Sequence, residues 1–345
     1  MGKIGLALSG GGAKGAYEIG VWQALEELRI LQYVDTIYGT SVGALNAALL
    51  ETCGAEKAKD IWLNLRPKDF FFLDTEKDYA DSTASKGNRN NNRLDAVYAF
   101  VAEAFRNNLA MRGSVEYAVS DVITAINVPA NITASLAMTR LFQLGSRISI
   151  DKLSQLLTSF VENGLPFSQQ KIYDLIEDKI DFKKMHRKVV ALCKTSKLPG
   201  IIKSFPLCDY DDEHKKRILL AASALPGFYT GTKGVDINGV GYHDAGFKDE
   251  DNTPIKWMQS DGYNSIIAVW LTNSPKPKYI DAAGENCIHI IPSEDIGKFI
   301  NGTIKVSQEK IKNDIQLGYE DTMKKKGELI SMLCREKFGF RSDDQ

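Results

Sequence analysis

An α/β fold, with a mostly parallel sheet covered by helices and a helical block inserted into it, is predicted by three features of this sequence. Strand and helix patterns alternate twice within the first 50 residues. A glycine-rich turn joins each of those strands to the helix behind it. The alternation then breaks off near Lys68 and returns near Lys188.

Taken in order, Lys3 to Leu8 is a short apolar run that ends in glycines and reads as a buried strand; Tyr17, Val21, Leu25 and Leu28 then recur at a helical period. Val34 to Tyr38 is a second strand, followed by Gly39-Thr40-Ser41-Val42-Gly43 and the small-residue helical run Ala44 to Leu50. Behind Lys68 an Asn-rich loop at 87–92 precedes alanine-rich helical stretches broken at Gly113, Pro129 and Gly145, which read as an inserted helical cap. Sheet-like sequence resumes at Lys188 to Cys193 and Ile201 to Phe205, and a helix is expected over Asp212 to Ala224. Further strands are expected near Gly239 to Asp244, Ser265 to Leu271 and Cys287 to Ile291. Ile304, Ile311, Ile315, Tyr319, Met323 and Ile330 pace a last helix. The expected organisation is a single domain over 1–345, with a core at 1–67 and 179–300, a cap at about 68–178 and a C-terminal helix at about 303–338.

The charge of 43 Lys+Arg against 44 Asp+Glu argues against binding of a nucleic-acid polymer, which needs a basic excess. A 43% hydrophobic chain with 25% charged residues buries a core, which excludes disorder as its main state. Cys53, Cys193, Cys208, Cys287 and Cys334 form no C-x-x-C pair and are odd in number, so a reducing, cytoplasmic setting is expected. No secretory signal is read in residues 1–9, and the longest uncharged stretch, Val122 to Thr139, is broken by Asn127, Pro129 and Asn131 and too polar for a membrane span.

Ser9-Gly10-Gly11-Gly12-Ala13-Lys14-Gly15 lies between a strand and a helix, so its N–H groups gather at a helix N-terminus and suit an anion. The run also fits the G-x-G-x-x-G pattern of dinucleotide sites, with Asp35 following Gly15 by 20 residues. That reading fails on order, because the ribose-binding acid belongs at the carboxyl end of the second strand, whereas Asp35 lies near its start and Ser41 holds its end. Gly39-Thr40-Ser41-Val42-Gly43 is instead a G-x-S-x-G turn between strand and helix, the context of a nucleophile elbow. Facing it, the amides of Gly11 and Gly12 would form an oxyanion hole.

A serine hydroxyl needs a base, and the chain has four histidines. His186 follows a charged loop, His214 lies in an exposed charged run, and His289 falls within a strand as a structural histidine would. His243 is adjacent to Asp244, and neighbours on a strand point to opposite faces, so only one of the two can reach Ser41.

These segments together resemble the patatin-like phospholipases, serine lipid acyl hydrolases that work with a Ser–Asp dyad. Gly10 to Gly15 is similar to the family's G-G-G-x-[KR]-G oxyanion loop, and Gly39 to Ala47 to its elbow and helix. Ala222-Ser223-Ala224-Leu225-Pro226-Gly227-Phe228 resembles the segment before the dyad strand. Tyr242-His243-Asp244-Ala245-Gly246, with Asn252-Thr253-Pro254-Ile255 behind it, resembles the aspartate motif. The likeness covers about 1–66 and 186–272, with weaker support from Gly318-Tyr319-Glu320-Asp321, and the cap has no counterpart. One departure is Ala245, where the family usually has glycine.

The resemblance implies a three-layer α/β/α fold with Ser41 as nucleophile and Asp244 as base. It implies Gly10, Gly11 and Gly12 as the oxyanion loop, Gly39 and Gly43 as the elbow glycines, and Lys14 as a candidate contact for an anion or headgroup. It implies no metal and no cofactor. The expected activity is that of a phospholipase A or lysophospholipase on glycerophospholipids, reached from the cytoplasm with peripheral membrane contact. A cap of this size could be opened by an activating ligand, a protein partner or self-association. The alternatives are an acyltransferase or thioesterase using the same dyad, and a catalytically silent lipid- or nucleotide-binding module.

Overall fold

The structure, a computed structural model, describes residues 4–66, 169–197, 200–225, 234–246, 252–297 and 307–338. The expected cap lies outside the described residues as far as 168, Phe70-Phe71-Phe72-Leu73 and the segment from Val97 to Phe142 with it.

β1 (Ile4–Leu8), α1 (Ala16–Glu27), β2 (Val34–Thr40) and α2 (Val42–Asn64) open the chain as two strand–helix units. β1 pairs in parallel with β2 on one side and with β7 (Ser265–Val269) on the other, and β7 pairs in parallel with β8 (Cys287–Ile290). β2 pairs in parallel with β3 (Lys188–Thr195), which also carries two antiparallel partners, β4 (Ile202–Pro206) and β6 (Val240–Asp244). β5 (Val235–Ile237) is antiparallel to β6 and ends the eight-stranded sheet. All five residues of β1 and of β7 are buried, the continuous apolar pattern of strands covered on both faces.

Two apolar clusters mark the two faces. The larger gathers Leu6, Ile37, Val189, Ala191 and Ile267 of the sheet with α1, α2 and α4 (Asp212–Ser223). The smaller gathers Ala7, Tyr38, Val190 and Ala268 with the short helix α5 (Ile255–Ser260) and the segment after α6 (Pro277–Ala282). The sheet is therefore covered on both sides, unequally. α3 (Gln169–Lys179), at the far end of the span read as a cap, packs Ile172 and Ile176 into the larger cluster, and its Tyr173 donates to Glu213 of α4 at 2.6 Å.

α2 runs on to Asn64, well past the apolar run that marks its start, with a kink at Gly54 (φ 73°). The last helix is not continuous. α7 (Gln308–Lys324) closes on Lys325 at a non-helical φ/ψ, and α8 (Lys326–Phe338) begins at the next residue and buries Leu329 and Met332.

α1 is buried almost all round because α7 lies directly across it, and the crossing depends on glycine. A Cβ on Gly20 would stand 1.8 Å from Ile315 O, and one on Gly318 would stand 2.0 Å from Tyr17 O. Beside this contact Asp321 accepts the Tyr17 hydroxyl at 3.1 Å, the Ser293 N–H at 2.8 Å and the Lys324 ammonium at 2.8 Å. The crossing gives Gly318 and Asp321 a packing role. We expect Gly318→Ala to lower stability by about 1–3 kcal/mol, the range for overpacked contacts, despite the better helix propensity of alanine. Gly327→Ala, with nothing within 4 Å of the added carbon, should be neutral or stabilising, and thermal melts of the two variants check the pair.

Candidate active site

Ser41 stands between β2 and α2 at φ 56°, ψ −128°, a left-handed conformation that a non-glycine residue holds only under constraint. The constraint is crowding on either side. A Cβ at Gly39 would lie 2.4 Å from the Ala44 backbone, and one at Gly43 would lie 2.5 Å from Leu8 O. Serine at a helix N-cap ordinarily gives its hydroxyl oxygen to the first-turn amides, but Ser41 makes no such bond, so its side chain is left for other work.

The register of β3 brings the acid to the serine. Cys193 and Lys194 pair with Lys203 and Ile202 of β4 on one edge, and with Asp244 and His243 of β6 on the other. That second edge is the one β2 follows as far as Thr40, opposite Leu192. β2 leaves the sheet at the elbow and β6 takes over the same edge one residue on. Ser41 and Asp244 therefore meet end to end.

Asp244 is fully buried. Its Oδ1 accepts the Gly246 N–H at 2.7 Å, and its own N–H donates to Ala224 O at 2.9 Å. Oδ2 is buried without a full hydrogen bond, although the Ser41 hydroxyl approaches the carboxylate closely enough to favour its ionised form. Burial outweighs the help of Ser41 and Gly246 and pushes the Asp244 pKa up to about 7. Ala245 is buried within this turn. The closely packed glycine of the turn is Gly246, where a Cβ would stand 3.1 Å from Asp244 Oδ1.

His243 takes the other face. Directly opposed residues of an antiparallel pair share a face, so Asp244 goes with Cys193, whose thiol donates to Ile218 O beneath α4. His243 goes with Lys194 on the far side. His186 is exposed, His214 bridges Asp211 and Asn238 on the surface, and His289 accepts the Trp270 indole N–H at 3.0 Å.

The glycine loop enters a 3-10 turn at Gly12–Gly15 that runs straight into α1. No hydrogen bond from the N–H of Gly11 or Gly12 is found among the described residues, and both sit at a helix N-terminus, where the dipole favours negative charge. Gly10, expected to belong with them, differs: its N–H donates to Asn252 O at 2.9 Å and is not free for an oxyanion. The Lys14 stem lies against Gly11, and burial, then the neighbouring Lys310, lowers its pKa to about 8 against the pull of Asp295 and Asp314.

Glu18 and Asn46 escaped the sequence reading. Asn46 donates to Gly15 O at 2.9 Å and to Glu18 Oε2 at 2.8 Å, and accepts the Trp62 indole N–H at 3.0 Å, tying the glycine loop to the elbow helix. Burial pushes the Glu18 pKa up to about 8, so the carboxyl is largely neutral at pH 7. The available signal was a lone glutamate between the apolar residues Tyr17 and Ile19.

Among the described residues no group of His, Cys, Asp and Glu could hold a metal ion, and no helix is long and apolar enough to cross a membrane. The family model for patatin-like phospholipases matches residues 6–256. A lysophospholipase (nte1) of Aspergillus terreus is 54% identical over 46 residues, 13% of this chain and 3% of that protein. VipD of Legionella pneumophila aligns at 16% identity and a TM-score of 0.45, over 95% of this chain and 67% of that one. The type III effector ExoU of Pseudomonas aeruginosa aligns at 15% identity and a TM-score of 0.38, over 96% of this chain and 53% of that one.

Proposed function

This chain belongs to the patatin-like phospholipase family, whose members hydrolyse lipid esters, and from that premise we propose that it releases fatty acid from glycerophospholipids as a phospholipase A or lysophospholipase. Ser41 is the nucleophile and Asp244 the base. The reading rests chiefly on one observation: a serine held at φ 56° faces a fully buried carboxylate, whose burial raises its pKa toward neutrality.

The course is acyl transfer in two halves. Asp244 takes the hydroxyl proton as Ser41 Oγ bonds to the ester carbonyl carbon, and the Gly11 and Gly12 amides receive the negative oxygen. As the tetrahedral intermediate collapses, the C–O bond to the glycerol side breaks and Asp244 returns the proton to the leaving alcohol. Water then gives a proton to Asp244 and attacks the acyl-enzyme. The fatty acid leaves as that proton goes back to Ser41. Lys14, beside Gly11, is assigned the contact with an anionic headgroup. The protein works from the cytoplasm at the membrane surface, and access of substrate to the site is controlled by an activating ligand, a protein partner or self-association.

A base that must be ionised makes activity rise with pH. We expect kcat/KM for a short-chain ester to climb about tenfold per pH unit below roughly pH 7 and to level off above it. A flat profile from pH 5 to 8 would remove Asp244 from the base role. Fatty-acid release from mixed phospholipid vesicles tests the substrate class, and cleavage of the short ester alone would separate a competent dyad from a missing lipid activity.

A further inference from the structure

Asn252 is bonded to both polar backbone groups of a single glycine. Its backbone oxygen accepts the Gly10 N–H at 2.9 Å, and its side-chain amide donates to Gly10 O at 3.2 Å. Its neighbour anchors the residue before: Ser9 Oγ donates to Val269 O at 2.5 Å and so receives the Thr253 hydroxyl, at 2.6 Å. The start of the glycine loop is therefore held by side chains that arrive about 240 residues later in the chain.

The peptide bond turns this clamp into an aiming device. The Gly10 carbonyl and the Gly11 N–H belong to one planar trans unit and point in opposite directions. Holding the carbonyl on Asn252 Nδ2 leaves the Gly11 N–H a single direction, away from Asn252. Two glycines let Asn252 come this close: a Cβ on Gly10 would lie 2.5 Å from Asn252 Oδ1 and 3.0 Å from Ser41 Cβ, and one on Gly246 would lie 3.0 Å from the same Oδ1. Asn252 thus touches the loop beside the nucleophile and the turn whose amide holds Asp244.

We propose that Asn252 is a positioning residue that sets the plane of the Gly10–Gly11 peptide and so aims the Gly11 N–H at the developing oxyanion, registering the glycine loop against the turn of the acid. This inference rests on the acyl-hydrolase reading above. Asn252 does not contact the reacting atoms. Its effect lies in the transition state, where the negative oxygen forms, and not in ground-state binding.

The test uses a matched short-chain oxoester and thionoester, because sulfur accepts hydrogen bonds poorly and the rate ratio reports how much the oxyanion donors contribute. Asn252→Asp keeps the size and the backbone contact but cannot donate to Gly10 O when ionised, and Asn252→Ala removes the side chain. In both, kcat for the oxoester should fall about 10- to 100-fold, below or at the loss typical of one oxyanion donor, with KM within about threefold. The oxoester-to-thionoester ratio should fall alongside. Unchanged kcat in both variants would overturn the proposal. So would a loss in which the ratio keeps its wild-type value, since that marks general destabilisation, which the melting temperature reads separately. If the wild-type protein shows no Ser41-dependent cleavage of the oxoester, the acyl-hydrolase reading itself falls, and that result is visible before any Asn252 variant is compared.

Discussion

Ser41→Ala is expected to abolish fatty-acid release, with kcat for the short-chain ester reduced by about 10⁴-fold or more and nothing measurable left on vesicles. Among the described residues the Asp244 carboxylate takes the Gly246 N–H and faces the Ser41 hydroxyl, and the Ser41 side chain makes no capping bond that would hold it elsewhere. The fold should survive, since alanine occupies the same backbone and loses one oxygen. Strain gives an independent check. Left-handed backbone costs a non-glycine residue roughly 1 kcal/mol or more, so Ser41→Gly should be equally inactive yet melt above Ser41→Ala. Retained hydrolysis in a clean Ser41→Ala preparation would reassign the nucleophile.

Asp244→Asn should lower kcat about 10³- to 10⁴-fold, because the amide fills the same space but cannot take the serine proton. His243→Ala should stay within about tenfold of wild type, the histidine lying on the opposite face of β6, and the reverse ranking would replace the acid by a histidine base. The same acid leaves a mark on stability. Its pKa is raised on folding from the usual 3.8 to about 7, so the unfolded chain ionises first and the native state loses relative stability as pH rises from about 4 to 7. Above pH 7 the loss is complete and constant. Asp244→Asn removes this penalty, on the order of a few kcal/mol, so its melting temperature should exceed wild type by a margin that grows across that window. Glu18 carries a penalty of the same sign in both proteins and cancels from the comparison.

The order of strands, the elbow between β2 and α2 and the glycine turn before α1 were legible because each is written in a few consecutive residues. Ile4 to Leu8 is apolar without a break, and Gly39 and Gly43 flank Ser41 at the end of such a strand. The break at Lys325 was not legible, because apolar residues on both sides of it keep a helical spacing. Gly10 read the same as Gly11 and Gly12 because the three are identical residues in one run. What separates it from them is a hydrogen bond to Asn252, and no local pattern carries that.

By itself the sequence determined the α/β class, the position of the candidate nucleophile and, through the likeness of its motifs, the family. Backbone preference and apolar period are local, so they survive in a one-dimensional reading. The tertiary structure alone decided which glycine amides stay free, which face His243 takes, and that Asp244 enters the edge of β3 where β2 leaves it. It also decided that the Asp244 carboxyl has its pKa raised to about 7, because the cost of holding its charge away from water depends on the residues that enclose it and not on its neighbours in the chain.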